Sequence, residues 1–526
     1  MNIYFIGMCI SIAVYVAIGI IVSRYVKTID DYYVAGRRAP AVLIAGSLVA
    51  SYTSTGMFMG DAGCFYEGGF NGLIICGLMA SSGYIFGSVF FGRYLRRSGV
   101  LTIPEFFEKR FQSKAIKNLA TITAVIMMTV YLISVMQGIG TMMNAVTGID
   151  YNICIIIAMV VFTFITVIAG SSGVLITDTI MASFFTIALF LAAIFICVKT
   201  GGWFGSIDAV AASPTLHDYL SFDGIVGVLA SSSLQSIVWG FINGIVWMSV
   251  AMVGPWQSSR YLMAKDERTV VSSCVPAAVG IFAIEFVVAM ICVFVNLVNP
   301  NIEDSSHVLI WASMNMLPKV LGVILLTGVL AAGISSATTF LSLIGATFSN
   351  DIIGDKAKNK IRVGQISMVI TSLVVLVFCV VNPPALFWIM LFGGAIVAAS
   401  WMPVVLACVF FKNLSDKAAF AGMISGFVTC FVIRLYTAIS GASLPVWADH
   451  AFLGMVVNIV AMLIVSAIVK ADPEQREAFD QLFIIPEQEK APEKKKGVLK
   501  AAKYAMVLGA VEFVVLLVFW VIPFVN

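Results

Sequence analysis

The stretch AVLIAGSLVASYTSTGMFMGDAGCFYEGG, residues 41–69, has the length and apolar content of a membrane-spanning helix but is interrupted near its middle. From Ala50 to Gly56 it reads Ala-Ser-Tyr-Thr-Ser-Thr-Gly, and Gly60 and Gly63 follow. Hydroxyl side chains compete with the helical backbone for hydrogen bonds, and glycine weakens a helix. The stretch therefore predicts a helix that is broken inside a membrane.

The whole chain has the composition of a membrane protein. Of its 526 residues, 60% are hydrophobic and 11% are charged, whereas soluble domains are close to half apolar and about a quarter charged. Apolar runs such as 151–169 lack the alternation of apolar and polar residues that is typical of membrane barrels. We therefore expect an all-α polytopic membrane protein that is embedded in the lipid bilayer.

Apolar runs of about 20 residues predict 14 transmembrane helices. They begin near residues 4, 41, 70, 115, 151, 174, 233, 274, 319, 361, 384, 415, 449 and 502. Alternate connections, including the one from Arg260 to Arg268, then carry 28 of the 31 Lys and Arg residues, and the positive-inside rule places those connections in the cytoplasm. This pattern predicts a multi-pass protein of the cell membrane with both the N-terminus and the C-terminus outside.

A second interrupted span is predicted at 225–254, which contains Gly240, Gly244 and two tryptophans. If five spans beginning at 41 and five beginning at 233 form two repeats, the interrupted spans are the first helix of each. Inverted-repeat transporters use such helices to bind ion and substrate near the middle of the membrane. The predicted regions are a peripheral first helix with a cytoplasmic loop at 1–40, the first repeat at 41–200, an extracellular loop at 201–232, the second repeat at 233–411, and three peripheral helices at 412–526 with a cytoplasmic linker at 471–500.

The ninth span carries the run AAGISSATT, residues 331–339, in which four of the last five side chains have hydroxyl groups. Neutral oxygens of this kind, beside unwound backbone carbonyls, suit a small hard cation and favour sodium over protons.

Ionisable residues inside membrane spans are costly, and each is therefore a candidate functional residue by default. Asp178 is a candidate ion ligand, Glu285 has no partner that the sequence identifies, and Glu512 is interpreted as structural. Asp61 and Glu67 are expected at the mouth of the transport pathway.

Four short motifs resemble those of the sodium:solute symporter family, which includes proline, pantothenate, monocarboxylate, sugar and sialic acid carriers. They are DDYYVAGR at 30–37, ITDT at 176–179, RYLMAK at 260–265 and AGISS at 332–336. The resemblance covers nearly the whole chain and implies a five-plus-five inverted-repeat core. It also implies a sodium site made by carbonyls of Ala50, Thr53 and Ala332 with the hydroxyls of Ser335 and Ser336.

The same resemblance implies a second sodium site in some members, with Asp178, Thr338 and Thr339 as ligands here. The substrate is expected to contact side chains of the two interrupted helices, namely Tyr52, Ser54, Met57, Trp239, Asn243 and Trp247. Sugar carriers differ from this chain at Trp247 and Val250, and proline carriers have an aspartate where Tyr52 stands. The expected solute is therefore a small amino acid, a carboxylate or a related polar metabolite.

The expected function is sodium-coupled import of that solute by alternating access, with Na+ as the coupling ion and no catalytic residues. No acid, base and nucleophile converge in the sequence, and the Gly-Lys pair of an ATP-binding loop is absent. A proton-coupled symporter remains the main alternative, followed by a channel and by a transport-linked sensor. The partners are the solute, sodium ions and the bilayer, without nucleic acid; the sequence makes no prediction of the oligomeric state.

Overall fold

The computed structural model describes residues 3–24, 28–221, 232–356, 358–381 and 385–522. Within these ranges the chain is helical apart from short connections and two isolated β-bridges. Thirteen of the described helices are long and apolar enough to cross a membrane, and the bent pair Ala41–Tyr52 and Gly56–Tyr66 makes fourteen. The predicted all-α architecture with 14 spans is therefore confirmed.

The α-helices are numbered here in chain order, without the short 3-10 and π segments. The first ten are α1 Ile3–Ser23, α2 Ile29–Val34, α3 Ala41–Tyr52, α4 Ala62–Tyr66, α5 Phe70–Gly87, α6 Arg93–Ser98, α7 Ile103–Phe111, α8 Lys114–Thr147, α9 Tyr151–Lys199 and α10 Trp203–Ala212. The remaining twelve are α11 Ser233–Val253, α12 Pro255–Met263, α13 Glu267–Val295, α14 Val308–Asn315, α15 Lys319–Thr347, α16 Lys360–Val381, α17 Leu386–Ile396, α18 Met402–Phe410, α19 Asp416–Ser440, α20 His450–Ile468, α21 Pro473–Gln481 and α22 Pro492–Leu516. Helix α9 contains two spans, which meet at Gly170, where φ is +55°.

Two helices begin earlier than the apolar pattern predicts. Helix α13 begins at Glu267 because the Asp266 carboxylate accepts the Thr269 N–H at 2.7 Å and caps the helix. Helix α22 begins at Pro492, inside the segment predicted to be a linker, with proline in its first turn, where no backbone donor is needed. Polar residues at a helix end carry no apolar signal, so their helical state is invisible to a search for membrane spans.

The predicted linker 471–500 also contains α21. Arg110 of α7 joins α21 to the end of α18. This fully buried side chain donates to the carbonyls of Cys408, Gln475 and Phe411 at 3.0 to 3.1 Å. Burial lowers the pKa of the Arg110 guanidinium, partly offset by the nearby charge of Asp480. The linker is therefore a folded, docked element rather than a loose polar connection.

The first interrupted helix is confirmed. Helix α3 ends at Tyr52, and Thr53 follows with φ −73° and ψ 95°, which is extended rather than helical backbone. The chain resumes at Gly56 as a π-helical turn that continues into α4, and the two halves are bent by 48°. The hydroxyl and glycine residues that predicted this break occupy it.

The predicted interruption at Gly240 and Gly244 is wrong, because α11 runs through both residues without a break. The interruption lies instead at Gly254, where φ is −54° and ψ is 133°, immediately before Pro255. Proline disfavours helical backbone in the residue before it and has no N–H to donate, which accounts for the position. Residues 225–231 of the predicted segment lie outside the described residues.

Gly240 and Gly244 serve close packing between α11 and α5. Gly240 lies against Gly72, and Gly244 lies against Met79. Farther along, a Cβ atom at Gly87 of α5 would lie 2.8 Å from the Met252 Cα atom, and one at Gly83 would overlap the backbone of Met248. We call this backbone-to-backbone contact the α5–α11 seam; it is the close approach that small residues permit in membranes.

Candidate functional site

The break after α3 leaves backbone oxygens without helical partners. Thr53 donates its N–H to the Val49 carbonyl at 3.0 Å, but the helix stops there, so the Ala50 carbonyl is among the last four of α3. The Thr55 hydroxyl donates to the Val135 carbonyl of α8 at 3.0 Å, and the Ser54 hydroxyl accepts the Gly56 N–H at 3.1 Å. The break is thus fixed in place while the carbonyls before it stay available to a cation.

Helix α15 lies directly against this break. A Cβ atom at Gly333 would meet the Thr55 Cγ2 atom at 2.9 Å, so the two segments are in van der Waals contact. Ala332 directly precedes Gly333, Ser335 and Ser336 follow it within one turn, and all three are fully buried. The Ser335 hydroxyl donates to Asp178 at 2.6 Å, whereas the Ser336 hydroxyl has no hydrogen-bond partner among the described residues. A buried hydroxyl without a partner is costly, which makes it a ready ligand.

Asp178 of α9 is the centre of a fully buried polar cluster. Its Oδ2 atom accepts from the Ser47 hydroxyl at 2.6 Å and from Arg260 Nη2 at 2.9 Å, and its Oδ1 atom accepts from Ser335. Arg260 also donates to the hydroxyls of Ser47 at 2.9 Å and Thr339 at 2.7 Å. We call these five residues the charge-paired cluster; it ties α3, α9, α12 and α15 together.

Of the three residues predicted to bind a second sodium ion, Asp178 and Thr339 belong to the charge-paired cluster and Thr338 does not. Asp178 and Thr339 are brought together, but the guanidinium of Arg260 bonds to both. The Thr338 hydroxyl instead donates to the carbonyls of Ile334 and Ser335, at 2.9 and 3.0 Å, within its own helix. The negative charge of Asp178 is therefore already balanced by an arginine.

Arg260 is the residue whose role the sequence did not reveal. It was counted with the cytoplasmic charges, yet it is only 1% exposed and lies inside the helical core. The available signal was its place on the short helix α12, just beyond the Gly254–Pro255 break, together with an unpaired aspartate in a distant span. Ser47, one turn before Ala50, was likewise missed because a serine in an apolar run is common.

A very small cavity of about 10 Å³, room for about one water molecule, lies beside Tyr52. Three predicted substrate residues line it, Tyr52, Met57 and Trp247, and the rings of Tyr52 and Trp247 are 5.8 Å apart. The other lining residues are Asp61, Leu73, Cys76, Tyr131, Glu285 and Met390. We call this space the acidic cavity, because both of its ionisable side chains other than tyrosine and cysteine are carboxylates.

The remaining predicted substrate residues lie elsewhere. Trp239 and Asn243 line a different cavity, toward the N-terminal end of α11, together with residues of α17, α19 and α20. The Asn243 amide donates to the Trp239 carbonyl at 3.2 Å, so it is occupied within its own helix. Ser54 sits in the α3 break rather than on the cavity wall. The predicted substrate set is thus distributed over three places.

Of the carboxylates in the spans, Asp61 differs in position from the expectation, whereas Glu285 lies deep in its span as expected. Asp61 was expected at a mouth with Glu67, but it lines the acidic cavity, whereas Glu67 lines a separate cavity with Asp304. Glu285 of α13 is 3% exposed and packs against α5, where a Cβ atom at Gly77 would lie 2.5 Å from its carboxyl carbon. The Glu285 Oε2 atom has no hydrogen-bond partner among the described residues.

Comparison with known proteins agrees with this architecture. A model described as the sodium:solute symporter family matches residues 32–426. Sodium/proline symporters from several Staphylococcus aureus strains are 25% identical over 463 residues, covering 80% of this chain and 85% of theirs.

Solved structures of two sodium- or cation-coupled transporters share the fold. A Na+-coupled sialic acid symporter in a substrate-bound outward-open state aligns with a TM-score of 0.75 at 17% identity, covering 89% of this chain and 98% of that one. A nucleobase-cation-symport-1 family transporter in a closed conformation aligns with a TM-score of 0.53 at 12% identity, covering 87% and 100%. At these identities the likeness concerns the fold, which is the five-plus-five inverted-repeat type.

Proposed function

The chain belongs to the sodium:solute symporter family, and on that premise we propose that it imports a small polar organic solute, such as an amino acid or a monocarboxylate, by sodium-driven alternating access. Its relatives are transporters rather than enzymes, and sodium-coupled solute import is the activity that they share with it. The proposal concerns the class of solute and the residues that bind sodium.

The observation that carries the proposal is the packing of α15 against the α3 break at Gly333, three residues before Ser336, whose buried hydroxyl has no hydrogen-bond partner among the described residues. The Ala50 carbonyl is in the last turn of α3 and the Thr53 carbonyl is in the extended backbone that follows, and Ala332 and Ser335 lie within one turn of Ser336. Unwound carbonyls at mid-membrane are what sodium-coupled inverted-repeat transporters use to coordinate the ion. We assign the main sodium site to these five residues.

The second set, Asp178, Thr338 and Thr339, is a weaker candidate in this chain. A sodium ion there would have to replace the bonds that Arg260 makes to Asp178 and Thr339, because the guanidinium occupies the position between them. One sodium ion moving through about 100 mV contributes roughly 2.3 kcal/mol, and a tenfold gradient adds about 1.4 kcal/mol. One ion alone could therefore support roughly 500-fold accumulation of a neutral solute.

Alternating access is proposed to move the repeats 41–200 and 233–411 around this site. The segments 1–40, 201–232 and 412–526 would then be peripheral to the motion, with both chain termini outside the cell. Proton coupling is the second candidate, favoured by the buried carboxylate of Glu285 and the half-buried carboxylate of Asp61. It differs from the first in the ion whose gradient drives uptake.

The test is uptake by proteoliposomes of a labelled solute panel, with and without an inward sodium gradient. The double change Ser335→Ala with Ser336→Ala is expected to abolish sodium-driven uptake, because two of the five oxygen ligands are removed. Ser336→Ala alone is the cleaner change, since in the described part of the chain its hydroxyl has no hydrogen-bond partner to lose. Sodium affinity, measured as sodium-dependent thermal stabilisation, should weaken in both variants.

Thr327→Ala provides the matched control. Thr327 is a buried hydroxyl residue on the same helix, bonded to the Ile324 carbonyl at 3.0 Å and about 12 Å along the axis from Ser335. It should keep wild-type sodium affinity. An unchanged sodium affinity in the double variant would refute the assignment of the main site. Uptake driven by a proton gradient alone would show that the coupling ion is H+ rather than Na+.

A further inference from the structure

We propose that Asp61 and Glu285 bind the cationic group of the transported solute, which would make the substrate a small organic amine or ammonium compound. The inference rests on the proposed transport function and names the substrate class for the same pathway. It concerns the acidic cavity, which is separate from the charge-paired cluster and from the main sodium site.

The first support is a charge imbalance inside the membrane. Asp61 and Glu285 line one cavity, and no Lys, Arg or His side chain lines it with them. Among the described residues neither carboxylate has an ion-pair partner, and the buried arginine of the charge-paired cluster, Arg260, is bonded to Asp178 at 2.9 Å. A carboxylate away from water is expensive unless it is paired, so the missing cation is expected to come from outside the chain.

The second support is the unsatisfied oxygen of Glu285. This side chain is 97% buried, given its 3% exposure, yet its Oε2 atom has no hydrogen-bond partner in the described part of the chain. An ammonium group has N–H donors that fit such an oxygen, and its positive charge matches the site. A neutral solute would leave the charge of the Glu285 carboxylate unbalanced, and an anionic solute would be repelled by it.

The third support is the wall of the cavity. The rings of Tyr52, Tyr131 and Trp247 line it, with Trp247 5.8 Å from Tyr52 and 6.4 Å from Tyr131 between ring centroids. Aromatic rings attract ammonium and quaternary ammonium ions through their quadrupoles, most strongly when water is excluded. Two carboxylates beside three aromatic rings therefore form a recognisable cation site. The cavity has room for only about one water molecule, so the helices around it must move apart before a cationic solute can enter.

The experiment compares sodium-driven uptake of labelled putrescine, lysine and choline with that of proline and lactate in the same proteoliposomes. At least one cationic probe should accumulate in preference to the neutral and anionic ones, and the amine and quaternary probes distinguish hydrogen bonding from purely electrostatic recognition. Glu285→Gln is expected to lower its uptake at least tenfold, about 1.4 kcal/mol, while sodium-dependent thermal stabilisation stays unchanged. Glu285→Asp should restore part of the uptake because it keeps the charge.

Glu512→Gln is the control, because Glu512 is also a membrane-buried carboxyl, bonded to Ser81 at 2.6 Å, but lies outside the cavity. Preferential uptake of proline or lactate that is insensitive to Glu285→Gln and Asp61→Asn would overturn the inference. So would a finding that Glu285→Gln removes only a dependence on the proton gradient. If Glu285→Gln does not fold, competition by unlabelled cations against wild-type uptake decides. Failure of the transport proposal itself would be distinct, since wild-type protein would then show no sodium stimulation for any probe.

Discussion

The charge-paired cluster and the acidic cavity are two answers to the same problem, a carboxylate buried in a membrane protein. Asp178 accepts three hydrogen bonds and faces an arginine at 2.9 Å, so its charge is balanced within the chain. Glu285 is equally buried, yet one of its oxygens has no partner among the described residues. The difference indicates that the first carboxylate holds helices together, whereas the second is open to a ligand.

The most direct test of this comparison removes the positive charge of Arg260 from the charge-paired cluster. Arg260→Gln leaves the Asp178 carboxylate buried without its counter-charge, and we expect a loss of about 3–5 kcal/mol in stability, as for other broken buried pairs. The double variant Asp178→Asn with Arg260→Gln should recover much of this loss, since no net charge then stays buried. Thermal unfolding of the purified protein in detergent measures both. Equal stability of Arg260→Gln and wild type would show that Asp178 is neutral or solvated.

Neutralising the lone carboxylate should have the opposite sign. Glu285→Gln removes a buried charge, one oxygen of which has no hydrogen-bond partner among the described residues, so the empty protein is expected to become more stable by about 0.5–2 kcal/mol, as is typical when function has been kept at the expense of stability. Thermal unfolding without added solute measures this, with Glu512→Gln as the reference, because the Glu512 carboxyl accepts a hydrogen bond from Ser81 at 2.6 Å. Destabilisation by Glu285→Gln would mean that the carboxylate has a structural partner.

A third carboxylate, Asp449, extends the comparison to a site outside the spans and gives the smallest effect. It caps α20 by accepting the N–H groups of Ala451 and Phe452 at 2.8 and 3.2 Å. Burial would raise the pKa of Asp449, but the hydrogen bond and charge of His450 and these backbone bonds lower it overall. A pKa that is lower in the folded state contributes stability above the usual aspartate range, and this is lost as pH falls through the folded value.

Asp449→Ala should therefore cost about 1 kcal/mol near neutral pH, because the cap is lost. Asp449→Asn should keep the cap but abolish the corresponding loss of stability between roughly pH 5 and pH 3. Melting temperature as a function of pH distinguishes the two variants. A wild-type pH profile that matches Asp449→Asn would contradict the lowered pKa.

Sequence reasoning predicted the fold well because membrane spans leave a local signal. Length and apolar content placed all 14 spans, and the run from Ala50 to Gly56 marked the broken helix correctly. The prediction was wrong where glycine can either interrupt a helix or allow two helices to pack closely. Gly240 and Gly244 were interpreted as helix breakers, but they allow α11 to pack closely on α5, and the break was set by Pro255.

The candidate site could be predicted only in part, because pairing between distant spans leaves no local trace. Asp178 and Arg260 are 82 positions apart along the chain and come within 2.9 Å in space, and neither shows the other in its surrounding sequence. Asp61 and Glu285 are likewise carried by different helices and meet only in the folded cavity. The hydroxyl run at 335–339 could be recognised because its members are neighbours on one helix.

The α5–α11 seam constrains how the acidic cavity can open. Backbone meets backbone at Gly83 and Gly87, so at these two positions no long side chain lies between α5 and α11 to absorb sliding. Helix α5 carries Leu73 and Cys76, and α11 carries Trp247, so we expect these three residues of the cavity wall to move together. The solute must then enter past other lining residues, among which Met57 and Met390 have flexible side chains.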